Sequence, residues 1–260
     1  MEHGAWQGPL RCTLSSRPQR RTPCICDIFD RSGEGVYRNP MRIGIFGGTF
    51  DPIHWGHLRS AEEVLEAFAL DRILFIPTSK PPHKRGQTTT PAQDRLAMVR
   101  LAVAKNRRFT VSTVEIRRPG VSYSIDTLRY FAERNNGRDS FFFILGLDAF
   151  REIGTWKDFE QLFPLCSFIV TSRPGSRNSN PFRGTSVAVK GLFCYDSRDN
   201  IYRHRSGTSL QFLKLTDFAV SASDIRARVR HGKSIRYLVP SAVEAYIKRR
   251  GLYRNREEEQ

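Results

Sequence analysis

Apolar residues recur along this chain in two alternating rhythms. Ile43, Ile45 and Phe46 make a short apolar run, and Leu58, Ala61, Val64, Leu65 and Phe68 then fall at helical spacing. This predicts a strand followed by a helix over 57–69. The run 72–76 predicts a second strand, closed by Pro77. Thr90, Pro91, Ala92 and Gln93 read as a capping box with proline at the first helical position, opening a helix to about 105. An alternating strand over 109–115, a helix over 124–135, a strand over 140–145, a short helix near 148–152 and a strand over 166–171 continue the series. Such alternation predicts an α/β fold: a doubly wound, mainly parallel sheet with helices on both faces and a small C-terminal helical part. Ligands of such folds bind at the carboxyl ends of the strands, near the topological switch. The polar stretch 175–208, rich in Ser, Arg, Asn and Gly, predicts a lengthened surface loop.

Composition narrows the class. A chain of 260 residues with 39% hydrophobic content can bury a full core, and it has no apolar run long enough to cross a membrane. Five cysteines without a framework pattern point to a reducing compartment and a cytoplasmic protein. Cys24 and Cys26 have no second pair and read as incidental thiols. The net charge of +16 favours a polyanionic partner or a basic solvated surface. No RNA-recognition string or zinc finger accompanies it, and the cations are scattered. A nucleoside triphosphate and an acidic mononucleotide would gain from the same field.

The first 40 residues differ from the rest. They carry Arg11, Arg17, Arg20, Arg21, Arg31 and Arg38 among turn formers, and also Asp27, Asp30 and Glu34 without an amphipathic helix. The expected organisation is a disordered extension over 1–40, one domain over 41–253 and a charged tail over 254–260. Met41 directly precedes the first strand, and translation is expected to start there; the mass of the native protein tests this.

The densest chemistry lies at 43–57, IGIFGGTFDPIHWGH. After the strand, Gly47 and Gly48 let the backbone turn and approach a ligand, and Pro52 fixes one backbone angle. His54 and His57 then share a face of the first helical turn. Unpaired amides and the positive end of that helix attract anions. The result is a phosphate cradle with two imidazoles aimed into it. The P-loop string is missing. No third cysteine, histidine or carboxylate lies nearby with zinc spacing.

These residues resemble a known family. GGTFDPIHWGH is similar to the G-G-T-F-D-P-x-H-x-G-H signature of bacterial nicotinate-mononucleotide adenylyltransferases, members of the nucleotidyltransferase superfamily marked by (H/T)-x-G-H. Further strings match in the family's order: IPTSKPPHK at 76–84, SYSIDTL at 122–128, ILGLD at 144–148, SRPG at 172–175 and VSASDIR at 220–226. The likeness spans Met41 to about Tyr253. It implies a Rossmann-like fold and adenylyl transfer from ATP to nicotinate mononucleotide in NAD biosynthesis. Gly47, Gly48, Thr49, Phe50, His54, His57, Lys84, Gly146, Asp148, Ser221, Ser223 and Arg226 are then expected at ATP, with His54, His57 and Arg226 catalytic. Ser122, Tyr123, Ser124, Trp156 and Arg173 are expected at the mononucleotide. Magnesium is expected as the ATP complex, with no protein metal ligand.

Physical readings accompany these positions. Ser221 can cap a helix with Asp224 as its third residue, releasing amides for an anion, or the helix is simply a capped one. Arg226 can hold phosphate by a bidentate fork. Asp148 can accept ribose hydroxyls or cap the next helix. Trp156 can stack on a pyridine ring or fill core. Lys84 offers a point charge, while His83 and Asp51 receive no role. The chain departs from the family's I-S-S-T-x-I-R at Ala222 and Ser223, and from its usual threonine at Ser124. The changes at Ala222 and Ser223 bear on the donors to triphosphate. Competing readings are the amidated mononucleotide as substrate, another superfamily member such as a pantetheine-phosphate adenylyltransferase, and an inactive nucleotide- or RNA-binding relative. Homo-oligomerisation leaves no readable mark.

Overall fold

Eight strands, β1 (Arg42–Gly48), β2 (Arg72–Pro77), β3 (Phe109–Val111), β4 (Ser140–Gly146), β5 (Ser167–Ser172), β6 (Phe193–Asp196), β7 (Ile201–His204) and β8 (Ser209–Lys214), form one sheet in the order β3-β2-β1-β4-β5-β8-β7-β6. The computed structural model describes residues 39–82, 89–135, 137–172 and 182–254. The expectations for residues 1–38, Lys84, Arg173 and 255–260 fall outside them. The helices among the described residues are α1 (Trp55–Ala67), α2 (Ala92–Val103), α3 (Val114–Arg117), α4 (Ser124–Asn135), α5 (Leu147–Arg151), α6 (Val187–Gly191), α7 (Ala222–Arg230) and α8 (Ser241–Arg249). None of these is long and apolar enough to cross a membrane.

Along the sheet the pairings from β3 to β8 are parallel, and β7 pairs antiparallel with both β8 and β6. Parallel strands covered on both sides read as continuous apolar runs, as 141–145 does. Successive side chains divide between the faces. Ile43, Ile45, Leu74, Ile76, Phe141, Phe143 and Leu145 pack with Ile125, Leu128 and Phe131 of α4. Ile73, Phe75, Phe142 and Ile144 pack against α1, α2, α7 and α8 through Val64, Leu65, Met98, Val99, Ile225, Val243 and Ile247. Each fully buried side chain of this size contributes about 1.5–3 kcal/mol. The close packing leaves no room at Gly44, where a Cβ would stand 2.6 Å from Ile73 Cδ1 and 2.8 Å from Ile144 Cδ1.

The chain leaves β1 for β2 and β3 on one side, then returns to β4 and β5 on the other. The switch point therefore lies between the carboxyl ends of β1 and β4, at Gly48 and Gly146.

Four local expectations are corrected. The strand over 109–115 stops at Val111, because Ser112 Oγ accepts the Val114 amide and α3 begins. Thr90 is not a helix cap: Pro91 takes that place, while the Thr90 amide and carbonyl are bound to Asp51 and Arg95. The described part of 175–208 is no loop but holds α6 and a hairpin of β6 and β7 that extends the sheet. The left-handed turn after β1 falls on Phe50 (φ 49°), not on Gly47 or Gly48, which pair with Ile76 and Pro77 inside the sheet.

Candidate active site

Two cavities open at the switch point and share one wall, made by Phe46, Gly47, Gly48 and Gly146. No atom outside its own neighbours lies closer than 4.0 Å to the Cβ that Gly47 would carry, and none lies within 4 Å at Gly146. Those backbones can therefore be approached from the cavity. This is the second reason for glycine that the sequence suggested, and it applies where the turn argument did not.

The first cavity, of about 480 Å³, is lined by Phe50, His54, Gly56, His57, Leu147, Asp148, Arg151, Thr216 and Phe218 besides the shared wall. His54 is the N-cap of α1, with an extended backbone (φ −145°, ψ 171°), and is 3% exposed. Its amide donates to His57 Nδ1 at 3.3 Å. The two rings stack with centroids 3.7 Å apart and planes 28° from parallel. A neutral imidazole that accepts at Nδ1 carries its proton on Nε2, so His57 presents a donor there. Gly56 makes the stack possible, since a Cβ would lie 3.0 Å from His54 Nδ1. The helix start is less open than the sequence suggested, because the Trp55 amide donates to the Leu238 carbonyl. Asp148 has a fully exposed side chain 3.5 Å from Arg151. Phe50 is core as well as wall, 2% exposed and edge-on to His57.

The second cavity, of about 380 Å³, is lined by Thr49, Ile76, Thr78, Pro81, Glu115, Ser122, Tyr123, Ser124, Thr127, Trp156 and Lys157, among others. Ser122 Oγ accepts the Ser79 amide, which ties the start of α4 to the turn after β2. The Trp156 ring stands edge-on to Phe143, 6.5 Å between centroids. Lys157 Nζ lies 4.9 Å over the Tyr123 ring and 3.8 Å from Asp126. Thr49, expected at ATP, borders this cavity and not the first.

The strings at 76–82, 122–128 and 144–148 thus converge on the opening motif. The 220–226 string lines neither cavity. Ser221 Oγ caps α7 by accepting the Asp224 amide and shares a 3.1 Å hydrogen bond with Ser223 Oγ. A Cβ on Gly56 would be 3.7 Å from the Val220 carbonyl, so the starts of α1 and α7 are neighbours. Arg226 Nη1 donates to the Asp51 carbonyl at 2.6 Å.

Four residues matter here that sequence reasoning missed or left without a role. Arg95, 1% exposed, donates to three carbonyls: Thr49, Ser79 and Thr90. Burial lowers its pKa, opposed by the Asp51 carboxylate. It occupies the apolar phase of α2, one residue from Leu96 and one turn from Val99, and that phase was its signal in the sequence. Asp51 is 4% exposed and accepts from Thr90, Tyr253 and Arg226. Glu115 is buried at the second cavity and accepts from Thr127 Oγ1 at 2.9 Å. Desolvation raises its carboxyl above the ordinary range, against the pull of Thr127. Tyr253 reaches the opening motif from the other end of the domain. Among the described residues no three His, Cys, Asp or Glu side chains converge as a metal group.

The chain is similar to known proteins in sequence and in fold. The family model described as cytidylyltransferase-like matches residues 45–228. A Syntrophotalea carbinolica protein named "Probable nicotinate-nucleotide adenylyltransferase" is 49% identical over 217 residues, covering 84% of this chain and 99% of its own length. A Geobacter sulfurreducens protein of the same name is 48% identical over 213 residues, with 82% and 98% covered. Among solved structures, a Plasmodium falciparum nicotinic acid mononucleotide adenylyltransferase complexed with NaAD superposes with a TM-score of 0.63 at 16% identity, covering 82% of this chain and 97% of that one. At that identity the likeness speaks for the fold.

Proposed function

The chain belongs to the cytidylyltransferase-like family and, within it, to the nicotinate-nucleotide adenylyltransferases, and on that premise we propose how its two cavities divide the work. The protein transfers an adenylyl group from ATP to nicotinate mononucleotide, giving nicotinate adenine dinucleotide and pyrophosphate for NAD biosynthesis. The observation that carries the reading is the shared glycine wall. An imidazole-lined cavity for triphosphate and an aromatic, hydroxyl-lined cavity for a pyridine nucleotide meet at Gly47, Gly48 and Gly146.

In this reading the mononucleotide lies in the second cavity with its ring near Trp156 and Tyr123, and Ser122 and Ser124 supply polar contacts. Its 5′-phosphate oxygen attacks the α-phosphorus of ATP in line. The bond from that phosphorus to the bridging oxygen breaks, and pyrophosphate leaves with that oxygen. No protein nucleophile is needed. Both reactants are anions, so acceleration comes from positioning and charge neutralisation. His57 donates from Nε2 to the phosphate oxygens as their charge shifts, with His54 stacked behind it. Arg226 and Lys84 serve the β- and γ-phosphates, and Arg173 the mononucleotide. Asp148 at the rim of the first cavity suits the ribose hydroxyls of ATP. Magnesium enters with ATP as the substrate complex and neutralises phosphate charge there. Cysteine usage and dependence on ATP support a cytoplasmic site of action.

Pyrophosphate release measured with ATP and each of two mononucleotides tests the reading. The expected result is efficient release with nicotinate mononucleotide and much less with the nicotinamide form. Salt-sensitive RNA binding without pyrophosphate release would favour a non-enzymatic relative instead.

A further inference from the structure

The opening motif is held from a point 202 residues further along the chain: Tyr253 Oη donates to Asp51 Oδ1 at 2.7 Å. Asp51 is also bonded at two other atoms. Its Oδ2 accepts the Thr90 amide at 3.2 Å, and its carbonyl accepts Arg226 Nη1 at 2.6 Å. One residue of the motif thus joins the start of α2, Arg226 of α7 and the segment after α8.

Anchoring of α8 does not require this bond. That helix is tied to α2 through Asp94, which accepts from Tyr246 Oη at 2.7 Å and from Arg250 Nε at 3.2 Å. Beyond the helix the chain turns sharply, with Gly251 at φ 60° and Tyr253 itself at φ 69°. A left-handed backbone is unfavourable for an aromatic residue and persists where surrounding contacts impose it. Here those contacts are the apolar core against its ring and, at its hydroxyl, the Thr90 side chain and the Asp51 carboxylate. We propose that Tyr253 is a positioning residue for ATP, holding Arg226 on the Asp51 carbonyl by engaging the Asp51 carboxylate. This rests on the adenylyl-transfer reading only in assigning ATP to Arg226.

The physical reason is competition for a cation. Asp51 is buried between Arg226 and Arg95, and its carboxylate needs donors. The phenol supplies a neutral one, and burial together with the neighbouring Asp51 charge raises its pKa far above the ordinary range, so it stays a donor at physiological pH. Without that hydroxyl, Asp51 Oδ1 draws the Arg226 guanidinium from the backbone carbonyl towards itself. The arginine then sits nearer a carboxylate, which neutralises the charge it would offer a triphosphate.

The test is Tyr253→Phe in the full chain, which removes one oxygen and keeps the ring. The expected result is a rise of about three- to tenfold in KM for ATP, the range for one hydrogen bond. KM for the mononucleotide should stay within about twofold, and the melting temperature close to wild type. In an Arg226→Ala background the same change should leave KM for ATP within about twofold, because its route is then absent. An unchanged KM for ATP in Tyr253→Phe overturns the proposal. So does an effect of full size without Arg226, or a parallel rise in both KM values with lost thermal stability. Calorimetric ATP affinity of the same variants carries the same expectation. Wild-type protein that binds ATP but releases no pyrophosphate with nicotinate mononucleotide would therefore sink the substrate reading while still deciding this one.

Discussion

His54 and His57 stack at 3.7 Å between ring centroids, with the His54 amide donating to His57 Nδ1. One histidine thereby fixes the tautomer of the other and backs its ring. Replacing His57 with alanine removes the donor aimed at phosphate. Turnover should fall by at least about a hundredfold, the scale for one preorganised transition-state donor, with the far-ultraviolet circular dichroism unchanged. Near-normal turnover in folded His57→Ala would refute the assignment.

Gly56 offers a subtler probe of the same pair. A methyl there meets the His54 ring at 3.0 Å, and the ring stacked on His57 must shift slightly to admit it. Gly56→Ala should lower kcat by up to about tenfold, since a misplacement of about 1 Å costs about a hundredfold and this one is smaller. Melting should change little, as alanine favours the helix. A variant with wild-type kcat would show that the stack is incidental.

Trp156 faces the second cavity beside Phe143. Trp156→Ala should raise KM for the mononucleotide about tenfold, from the loss of a stacking face, and leave KM for ATP nearly unchanged. Equal rises for both substrates would point to a role in the core.

Glu115 makes stability depend on pH. Burial raises its carboxyl above the ordinary value of 4.5. The folded state therefore binds this proton more tightly than the unfolded chain does. The associated stability is present below 4.5 and is lost as pH rises through the raised value. Glu115→Gln keeps an acceptor for Thr127 and removes the buried charge. Thermal melts should show Glu115→Gln more stable than wild type at pH 7 to 8, with the gain shrinking towards pH 4.5. A gain that does not depend on pH would contradict this account.

The parallel strands are legible because a strand covered on both faces is apolar throughout, as Phe141 to Leu145 are. Helices α1 and α4 are legible because they carry one apolar stripe. The hairpin at 193–204 is not: Asp196, Arg203 and exposed Tyr195 interrupt strands only four residues long, so no period emerges. Composition assigns a segment of that kind to a loop. Motif strings locate most of the cavity walls, since those at 43–57, 76–82 and 144–148 span the carboxyl end of a strand and the one at 122–128 opens α4. What local patterns omit is the support behind them. Arg95 is hidden because arginine is expected at the surface, although its helical phase is apolar. The bond between Asp51 and Tyr253 has no local trace at all, because only the fold brings those residues together.

Isotope-labelled turnover tests the central claim most directly. Nicotinate mononucleotide carrying 18O in its phosphate is incubated with unlabelled ATP, and both products are weighed by mass spectrometry. The account predicts nicotinate adenine dinucleotide that retains all of the label, with one unlabelled pyrophosphate released per dinucleotide. No dinucleotide, or label appearing in pyrophosphate, would contradict direct attack of the mononucleotide on the α-phosphorus.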